Sequence, residues 1–289
     1  MASGGLRYKY QTADVMTKLI VINVLIFLIV RLLAFFFQVD PEFLVAWLVL
    51  PEEVSEFITQ PWSILSYSFL HFGFFHILFN MIWLYMFGRI ILNLYSEKRL
   101  LTVYLLGAAA GGVLFALSYN LFPVFSSSWG YLIGASGAVT ALMAFIATAT
   151  PNTEMRLFIW NIKLWHIAVT LILIDLIRIS TSSNAGGLLA HLGGAAFGYI
   201  YARQLASGND IGKWFENFID WVAGLFKTRK QQPFKKVHRT PKRGPSEKYM
   251  KKDDRQEKVD AILDKIGKSG YDSLTKAEKD FLFKAGKDK

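Results

Sequence analysis

The sequence contains no cysteine and few charged residues. The absence of Cys from its 289 residues excludes a disulfide framework, a thiolate nucleophile and a Cys-ligated metal. Charged residues make up 19% of the chain, against roughly 25% in typical soluble proteins. Hydrophobic residues account for 53% and aromatic residues for 15%. Such a composition is too apolar for an ordinary soluble domain and indicates an integral membrane protein.

The formal net charge of +10 is confined to the C-terminal tail. Up to residue 226, 12 Lys and Arg residues balance 12 Asp and Glu residues, whereas residues 227–289 contain 20 basic against 10 acidic residues. Few aromatic residues are interleaved with these charges, so we expect no nucleic acid partner. Attraction of the tail to anionic membrane lipid is the simpler interpretation.

Apolar runs of about 17–25 residues, the length that crosses a bilayer, occur six times before residue 206. They cover residues 17–37, 68–92, 100–121, 131–150, 162–179 and 186–202. The sequence therefore predicts an all-α integral membrane protein with a six-transmembrane-helix bundle and a basic C-terminal tail.

The distribution of Lys and Arg predicts the orientation of these spans. Basic residues occur in the N-terminal segment, in the second and fourth connections and in the tail, whereas the first connection has five acidic residues and no basic one. The positive-inside rule then puts both termini in the cytoplasm. Two aromatic residues of the first connection, Trp47 and Trp62, suit a segment that lies in the membrane interface.

The domain organisation follows from these patterns. An N-terminal segment, a membrane core, an amphipathic interfacial helix, a basic disordered linker and a small cytoplasmic helical segment are expected at residues 1–16, 17–205, 206–227, 228–252 and 253–289. In the last segment, apolar residues at helical spacing run to Ile266, and Gly267 is expected to stop the helix. Thr275 and Glu278 form a capping-box pattern before a second short helix.

Polar side chains inside the predicted spans are candidate site residues, because burying them in a membrane is costly. Span two contains His76 and Asn80, which lie four apart on one helical face. Span four contains Ser136, and span six contains His191. These spans run in the same direction. His76, Ser136 and His191 lie five to eight residues from the start of their spans, which corresponds to a depth of roughly 7–12 Å, and Asn80 lies about one helical turn beyond His76. The four groups are therefore expected to converge.

Glycines lie close in sequence to both Ser136 and His191. Gly134 and Gly137 remove side chains beside the serine and leave room for a peptide backbone. Gly194 and Gly198 follow the histidine of span six as a GxxxG pattern, which lets helix backbones approach closely.

This set of groups is sufficient for nucleophilic catalysis. A serine hydroxyl needs a neighbouring base to become a nucleophile, and His191 can be that base for Ser136. A tetrahedral intermediate needs hydrogen-bond donors for its oxyanion, and His76, Asn80 and the Ser136 N–H can supply them.

Other polar residues have simpler interpretations. His71 is expected to be interfacial and, about 140° round the helix from His76, does not form a metal pair with it. Asp175 is interpreted as an ion-pair partner of Arg178, three residues further along the same helix, rather than as an orienter of a catalytic base. There is no His-Glu-x-x-His motif and no pair of intramembrane aspartates. We therefore expect no metal and no cofactor.

Three segments together resemble the signature segments of rhomboid proteases, in the family's order and on helices two, four and six. They are HFGFFHILFN at 71–80, GASG at 134–137 and AHLGGAAFG at 190–198. The resemblance covers about residues 17–203 and is to the bacterial type with a six-helix core.

The resemblance implies a Ser–His dyad with Ser136 as the nucleophile and His191 as the general base. His76 and Asn80 would be oxyanion donors, and Gly134 would be the family's glycine two residues before the serine. It also implies a serine endopeptidase that cleaves single-pass transmembrane proteins near their outer face. A bacterial inner membrane is the expected location.

Two positions depart from the pattern that the resemblance implies. Ser63 follows Trp62 where the family has an arginine that helps to hold the first connection. Thr140 stands four residues after the serine, where an aromatic residue often packs on the catalytic histidine.

Two other functional classes remain open at this point. An inactive rhomboid-like protein that binds membrane proteins or serves in quality control would keep the fold, although it would usually lack the serine or the histidine. A transporter could also bury such polar groups, but it tends to have broken helices or charged residues at the membrane midplane. The oligomeric state is left undetermined by the sequence.

Overall fold

The computed structural model describes residues 5–125, 130–157, 159–182, 184–226 and 247–287, and within them the chain is mostly helical. It divides into two compact units, Met1–Lys227 and Thr228–Lys289. Among the described residues, three helices are long and apolar enough to cross a membrane, namely Val15–Phe37, Phe74–Leu94 and Glu97–Leu121. The prediction of a helical membrane protein is thereby confirmed.

The first unit contains eleven helices and two short antiparallel strand pairs within the residues described. The helices are α1 (Leu6–Thr12), α2 (Val15–Phe37), α3 (Pro41–Val45), α4 (Val54–Thr59), α5 (Ser63–Ser66), α6 (Phe74–Leu94), α7 (Glu97–Leu121), α8 (Ser136–Ala149), α9 (Leu164–Arg178), α10 (Ala185–Ala206) and α11 (Lys213–Phe226). The strands are β1 (Leu50–Pro51), β2 (Tyr131–Leu132), β3 (Glu154–Leu157) and β4 (Trp160–Lys163). Strand β1 pairs with β2, with Leu50 opposite Leu132, and β3 pairs with β4.

Helices α6 and α8 begin later in the chain than the apolar runs predict. Residues 67–69 form a 3₁₀ turn before α6, and β2 together with the left-handed Gly134 (φ 110°) precedes α8. Ser136 is consequently the first residue of α8, and His76 is the third residue of α6. The depth calculated from a continuous helical rise is therefore wrong for these two residues, since the segments before them are not helical.

Helix α8 is the centre of the core. Ten of its 14 residues are buried, and it packs between α7 and α10. Small residues make this close packing possible. A Cβ atom added to Gly194 would overlap the Gly137 carbonyl, and one added to Gly198 would overlap the Ala141 carbonyl. The GxxxG pattern of α10 thus lies directly against the backbone of α8.

The first connection is held by hydrogen bonds to its own backbone, with Ser63 buried where the resemblance implied an arginine. The Trp62 indole N–H donates to the Trp47 carbonyl at 2.7 Å, and the Ser66 hydroxyl donates to the Leu48 carbonyl at 2.7 Å. A further bond fixes the connection to α7, since the Asn120 amide donates to the backbone carbonyl that follows β1 at 2.8 Å. The side chains of Trp62, Ser66 and Asn120 therefore hold the first connection in place.

Helix α11 is fastened to the start of α7 by ion pairs and exposes aromatic residues. The Arg99 guanidinium lies 2.6 Å from Asp210 and 3.0 Å from Glu216. On the other face Trp214 and Trp221 are each more than 60% exposed. This amphipathic arrangement suits the interfacial helix that the sequence predicts.

The second unit is a helical hairpin of α12 (Glu247–Ser269) and α13 (Lys276–Lys287). The predicted linker, 228–252, is wrong at its end, because α12 already begins at Glu247; its residues 228–246 lie outside those described. The helix also continues through Gly267 and ends before Gly270, whose φ of 74° is the left-handed conformation that glycine favours. Thr275 and Glu278 form the reciprocal bonds of a capping box.

Candidate active site

Ser136 is the first residue of α8 and is partly buried, after a turn that the preceding residues hold in place. The Gly134 N–H donates to the Tyr67 carbonyl at 3.0 Å, and the Ala135 N–H donates to His71 Nε2 at 3.3 Å. The positive φ of Gly134 reverses the chain direction before the helix begins, a conformation that L side chains rarely adopt. The first N–H groups of a helix have no partner within it, so those of α8 are available beside the serine.

The backbones that carry Ser136 and His191 are in contact. A Cβ atom added to Gly137, directly after the serine, would lie 3.3 Å from the carbonyl oxygen of Ala190, directly before the histidine. One helical turn on, Gly194 approaches the Gly137 carbonyl even more closely. The four glycines predicted to surround the site therefore lie at its packing contacts or, for Gly134, at its turn.

A cavity of about 150 Å³ lies between α6, α8, α9 and α10. Its lining consists of four polar side chains, one carboxylate and five apolar side chains: Asn80, Ser136, Thr140 and His191; Asp175; and Trp83, Phe87, Val139, Met143 and Leu171. The structure thus brings together in one cavity the serine, the histidine and the asparagine that the sequence singled out.

Asn80 and His76 occupy different positions relative to this cavity. The Asn80 amide donates one hydrogen to the His76 carbonyl at 2.8 Å, and its second N–H leaves it able to donate to a ligand. The His76 ring packs behind Gly134, where an added Cβ would lie 2.6 Å from its Cε1 and Nε2 atoms. Among the described residues that line the cavity, Asn80 is included and His76 is not.

The interpretation of His71 as an interfacial residue is wrong. Its side chain is 2% exposed, its Nε2 accepts the Ala135 N–H, and its ring lies edge-on to that of His76 with centroids 4.9 Å apart. His71 therefore supports the turn before the serine. The missed signal is its position: it precedes α6 on a non-helical segment, which can turn inward.

The interpretation of Asp175 is also wrong. Its Oδ2 lies 2.8 Å from His191 Nδ1, and no ion pair between Asp175 and Arg178 occurs in the described part of the chain. Helical spacing of three made that pair plausible, but Arg178 is exposed whereas Asp175 points toward α10. The sequence could not reveal a contact between residues 16 apart on different helices.

Thr140 contributes to the site in another way than an aromatic residue would. Its hydroxyl donates to the Ser136 carbonyl at 2.7 Å, within α8, and its side chain lines the cavity. No cluster of three or more metal-binding side chains occurs among the described residues. The groups that line the cavity include a serine hydroxyl, an imidazole, a carboxylate and an amide donor.

A family model for the rhomboid domain matches residues 59–207. The chain belongs to the rhomboid family. The match includes all three signature segments that the sequence analysis identified, so the suspected resemblance is confirmed. A second family model, of a family of unknown function named DUF6576, matches residues 247–284 and coincides with the α12–α13 hairpin.

Relatives of this rhomboid chain include mitochondrial and bacterial proteins. RHOMBOID-like protein 12, mitochondrial, from Arabidopsis thaliana is 33% identical over 159 residues, which cover 50% of this chain and 47% of that protein. Presenilin-associated rhomboid-like protein, mitochondrial, from Homo sapiens is 32% identical over 46% of this chain and 35% of its own length. Rhomboid protease GlpG from Pectobacterium atrosepticum is 28% identical over 48% of this chain and 47% of its own length. The chain thus spans about half or less of the length of these relatives.

These relatives contradict the predicted location. A bacterial inner membrane with both termini in the cytoplasm was expected from the bacterial type of the resemblance and from the positive charges. The plant and mammalian relatives are mitochondrial proteins, which contradicts the expected bacterial location. The charge pattern distinguishes the two sides of a membrane and carries no information about which membrane it is, so the compartment did not follow from it.

Proposed function

We propose that this chain is an intramembrane serine endopeptidase in which Ser136 is the nucleophile and His191 the general base. The observation that carries the proposal is that both side chains line one cavity between helices of a rhomboid domain. The Pectobacterium relative is named as a rhomboid protease, which agrees with this activity.

The membrane core of this proposal consists of α2, α6, α7, α8, α9 and α10 as six spans. Their loops alternate between basic and uncharged or acidic composition, which orients them with the Lys- and Arg-rich ends on one side. Ser136 is the first residue of α8 and therefore lies near the opposite side of the membrane, where one end of a transmembrane substrate helix would also lie. Exposed apolar residues on the outside of α2, for example Phe35 and Phe36, suit contact with lipid.

The reaction proceeds by acyl transfer. The Ser136 hydroxyl attacks the scissile carbonyl while its proton passes to His191 Nε2, and the negative charge collects on the carbonyl oxygen. The Ser136 N–H and the Asn80 amide donate to this oxyanion, with the His76 ring supporting the turn from behind. Cleavage of the C–N bond leaves an acyl-serine ester, and the imidazolium returns the proton to the departing amine. A water molecule, deprotonated by His191, then hydrolyses the ester.

The substrates are single-pass transmembrane proteins cut near the end that faces the α8 N-terminus. A helix in lipid satisfies its own backbone hydrogen bonds, so the scissile carbonyl is reached only after local unwinding. Gly134 and Gly137 leave little side-chain volume at the site, and the cavity is small. We therefore expect a small residue before the scissile bond and Gly or Pro nearby.

The test is cleavage of a tagged transmembrane reporter by purified protein in detergent and in liposomes. Ser136→Ala and His191→Ala should abolish cleavage, since each removes one half of the dyad, while their elution and thermal unfolding stay like the parent's. Asn80→Ala should lower kcat by about 10²-fold or less, because oxyanion donors are partly redundant. Full activity in either dyad variant would refute the mechanism. An inactive parent protein that still bound the reporter would favour a binding role instead.

A further inference from the structure

Helix α9 brings a carboxylate to the imidazole that the proposed reaction uses as its base. Asp175 Oδ2 lies 2.8 Å from His191 Nδ1, a hydrogen-bond distance for a charged acceptor. The two side chains are largely shielded, with 14% and 22% of their surfaces exposed. Both also line the cavity that contains Ser136.

The ring nitrogen that contacts Asp175 determines which tautomer of His191 is favoured. A neutral imidazole carries one N–H, and the hydrogen bond made by one nitrogen fixes which nitrogen holds the proton. A carboxylate at Nδ1 accepts a hydrogen, so the proton stays on Nδ1. Nε2 is then unprotonated and is the nitrogen that can receive the serine proton.

Among the described residues, Asp175 and His191 make no side-chain hydrogen bond or ion pair other than the one they share, although Asn80 and Ser136 also line the cavity. Arg178, the nearest cation on the same helix, is exposed and does not pair with Asp175. The Thr140 hydroxyl, which also lines the cavity, is engaged with the Ser136 carbonyl. Other lining residues between α8 and α9, such as Leu171 and Met143, are apolar.

The placement of Asp175 within α9 ties the orientation of His191 to the position of that helix. The buried residues of α9 are Leu164, Ile167 and Ala168, all in its first five positions. Beyond them the helix exposes large apolar side chains, including Leu176 and Ile177. The far half of α9 is therefore weakly packed, and the carboxylate at 175 is its polar link to α10.

We propose that Asp175 is a positioning residue for His191, which keeps the imidazole proton on Nδ1 so that Nε2 can accept the proton of Ser136. It does so only while α9 packs against α10. This inference rests on the proposed function, because it assigns a role within the same reaction. It extends the dyad to a third residue contributed by the least buried of the helices around the cavity.

The experiment compares kcat and KM for reporter cleavage in liposomes across four variants. Asp175→Asn keeps the size of the side chain, but its amide can donate to Nδ1 and so stabilise the wrong tautomer; kcat should fall about 10²-fold with KM changed less than about threefold. Asp175→Glu retains the acceptor and should recover at least about tenfold of that loss. Arg178→Gln should equal the parent, because the ion pair it would disrupt is not formed.

The same samples separate the possible failures. Ser136→Ala, measured alongside, reports the proposed function itself: activity in that variant refutes the reaction, whatever Asp175 does. If Ser136→Ala is inactive while Asp175→Asn matches the parent in kcat, the positioning role alone is wrong. A rise in kcat/KM for Asp175→Asn would also overturn it, because it would show that the contact only holds α9 closed against substrate. Equal losses of kcat in Arg178→Gln and Asp175→Asn would also contradict the proposal, because they would support an ion pair between Asp175 and Arg178.

Discussion

Gly194→Ala is the substitution for which the structure gives the clearest quantitative expectation. The added methyl group would overlap the Gly137 carbonyl on α8, a backbone atom that cannot rotate away. Relief of the overlap requires α10 and α8 to separate by about 1 Å to reach ordinary van der Waals contact. Since His191 is on α10 and Ser136 begins α8, this separation acts directly between the two groups proposed to be catalytic.

The expected effects of Gly194→Ala on catalysis and on stability are of similar size in free energy. A misplacement of about 1 Å in a reacting pair lowers the rate by about 10²-fold, which corresponds to about 2.7 kcal/mol in the activation free energy. Overpacking of a core typically costs 1–3 kcal/mol of folding free energy. We therefore expect Gly194→Ala to fold, with a lower midpoint of thermal unfolding in detergent, and to lose about 10²-fold in kcat for reporter cleavage.

Two further Gly→Ala variants provide a graded control. At Gly137 the added Cβ would lie 3.3 Å from the Ala190 carbonyl oxygen, a few tenths of an ångström too close, so we expect a loss of less than about tenfold. At Gly224, on α11, no atom lies within 4 Å, and kcat should be unchanged. Equal activity of Gly194→Ala and Gly224→Ala would refute the argument that close helix approach sets the geometry of the dyad.

Three other predictions concern the turn, the interfacial helix and the C-terminal hairpin. Gly134→Ala, which forces a side chain into a left-handed conformation, should lower kcat at least about tenfold and label more slowly with a serine-directed reagent. Arg99→Ala should destabilise the first unit by about 2 kcal/mol, as measured by thermal unfolding, because it removes the cation that the shielded Asp210 and Glu216 carboxylates share. Lys98→Ala, whose ion pair is half exposed, should cost under about 1 kcal/mol, and equal shifts would contradict this. The hydrogen bond from Lys265 holds the pKa of Glu278 at about 2, below its usual 4.5. The stability that this bond adds to the hairpin is complete above about pH 4.5 and is lost as the pH falls through 2. Hydrogen exchange in α13, corrected for intrinsic rates, should therefore accelerate between these pH values in the parent protein and not in Glu278→Gln.

The sequence predicted those parts of the fold that depend on local patterns. Apolar run length located the helices of the membrane unit, and the Thr275 capping box located the start of α13. The errors lie where local and tertiary effects compete. Gly267 was expected to end α12, but glycine costs a helix interior only about 1 kcal/mol, and the helix continues to Ser269. The apolar residues before Ser136 belong to a strand and a turn, which hydropathy does not distinguish from helix.

The site was predictable to the extent that its residues share a face or a signature segment. Ser136, Asn80 and His191 were identified from polar residues within apolar runs, and they do line one cavity. The contact between Asp175 and His191 was not predictable, because spacing along one helix favoured Arg178 as the partner. Only the packing of α9 against α10 reveals which way the carboxylate points.

Labelling with a serine-directed fluorophosphonate is the most direct test of the proposed mechanism. The purified full chain is treated in detergent micelles, digested and analysed by mass spectrometry for the modified peptide. We expect a single adduct on Ser136 in the parent protein, and none in His191→Ala, because the hydroxyl is not activated without its base. Cleavage of the reporter by a protein that carries its adduct elsewhere, or equal labelling of Ser136 in His191→Ala, would contradict the assignment of the nucleophile and its base.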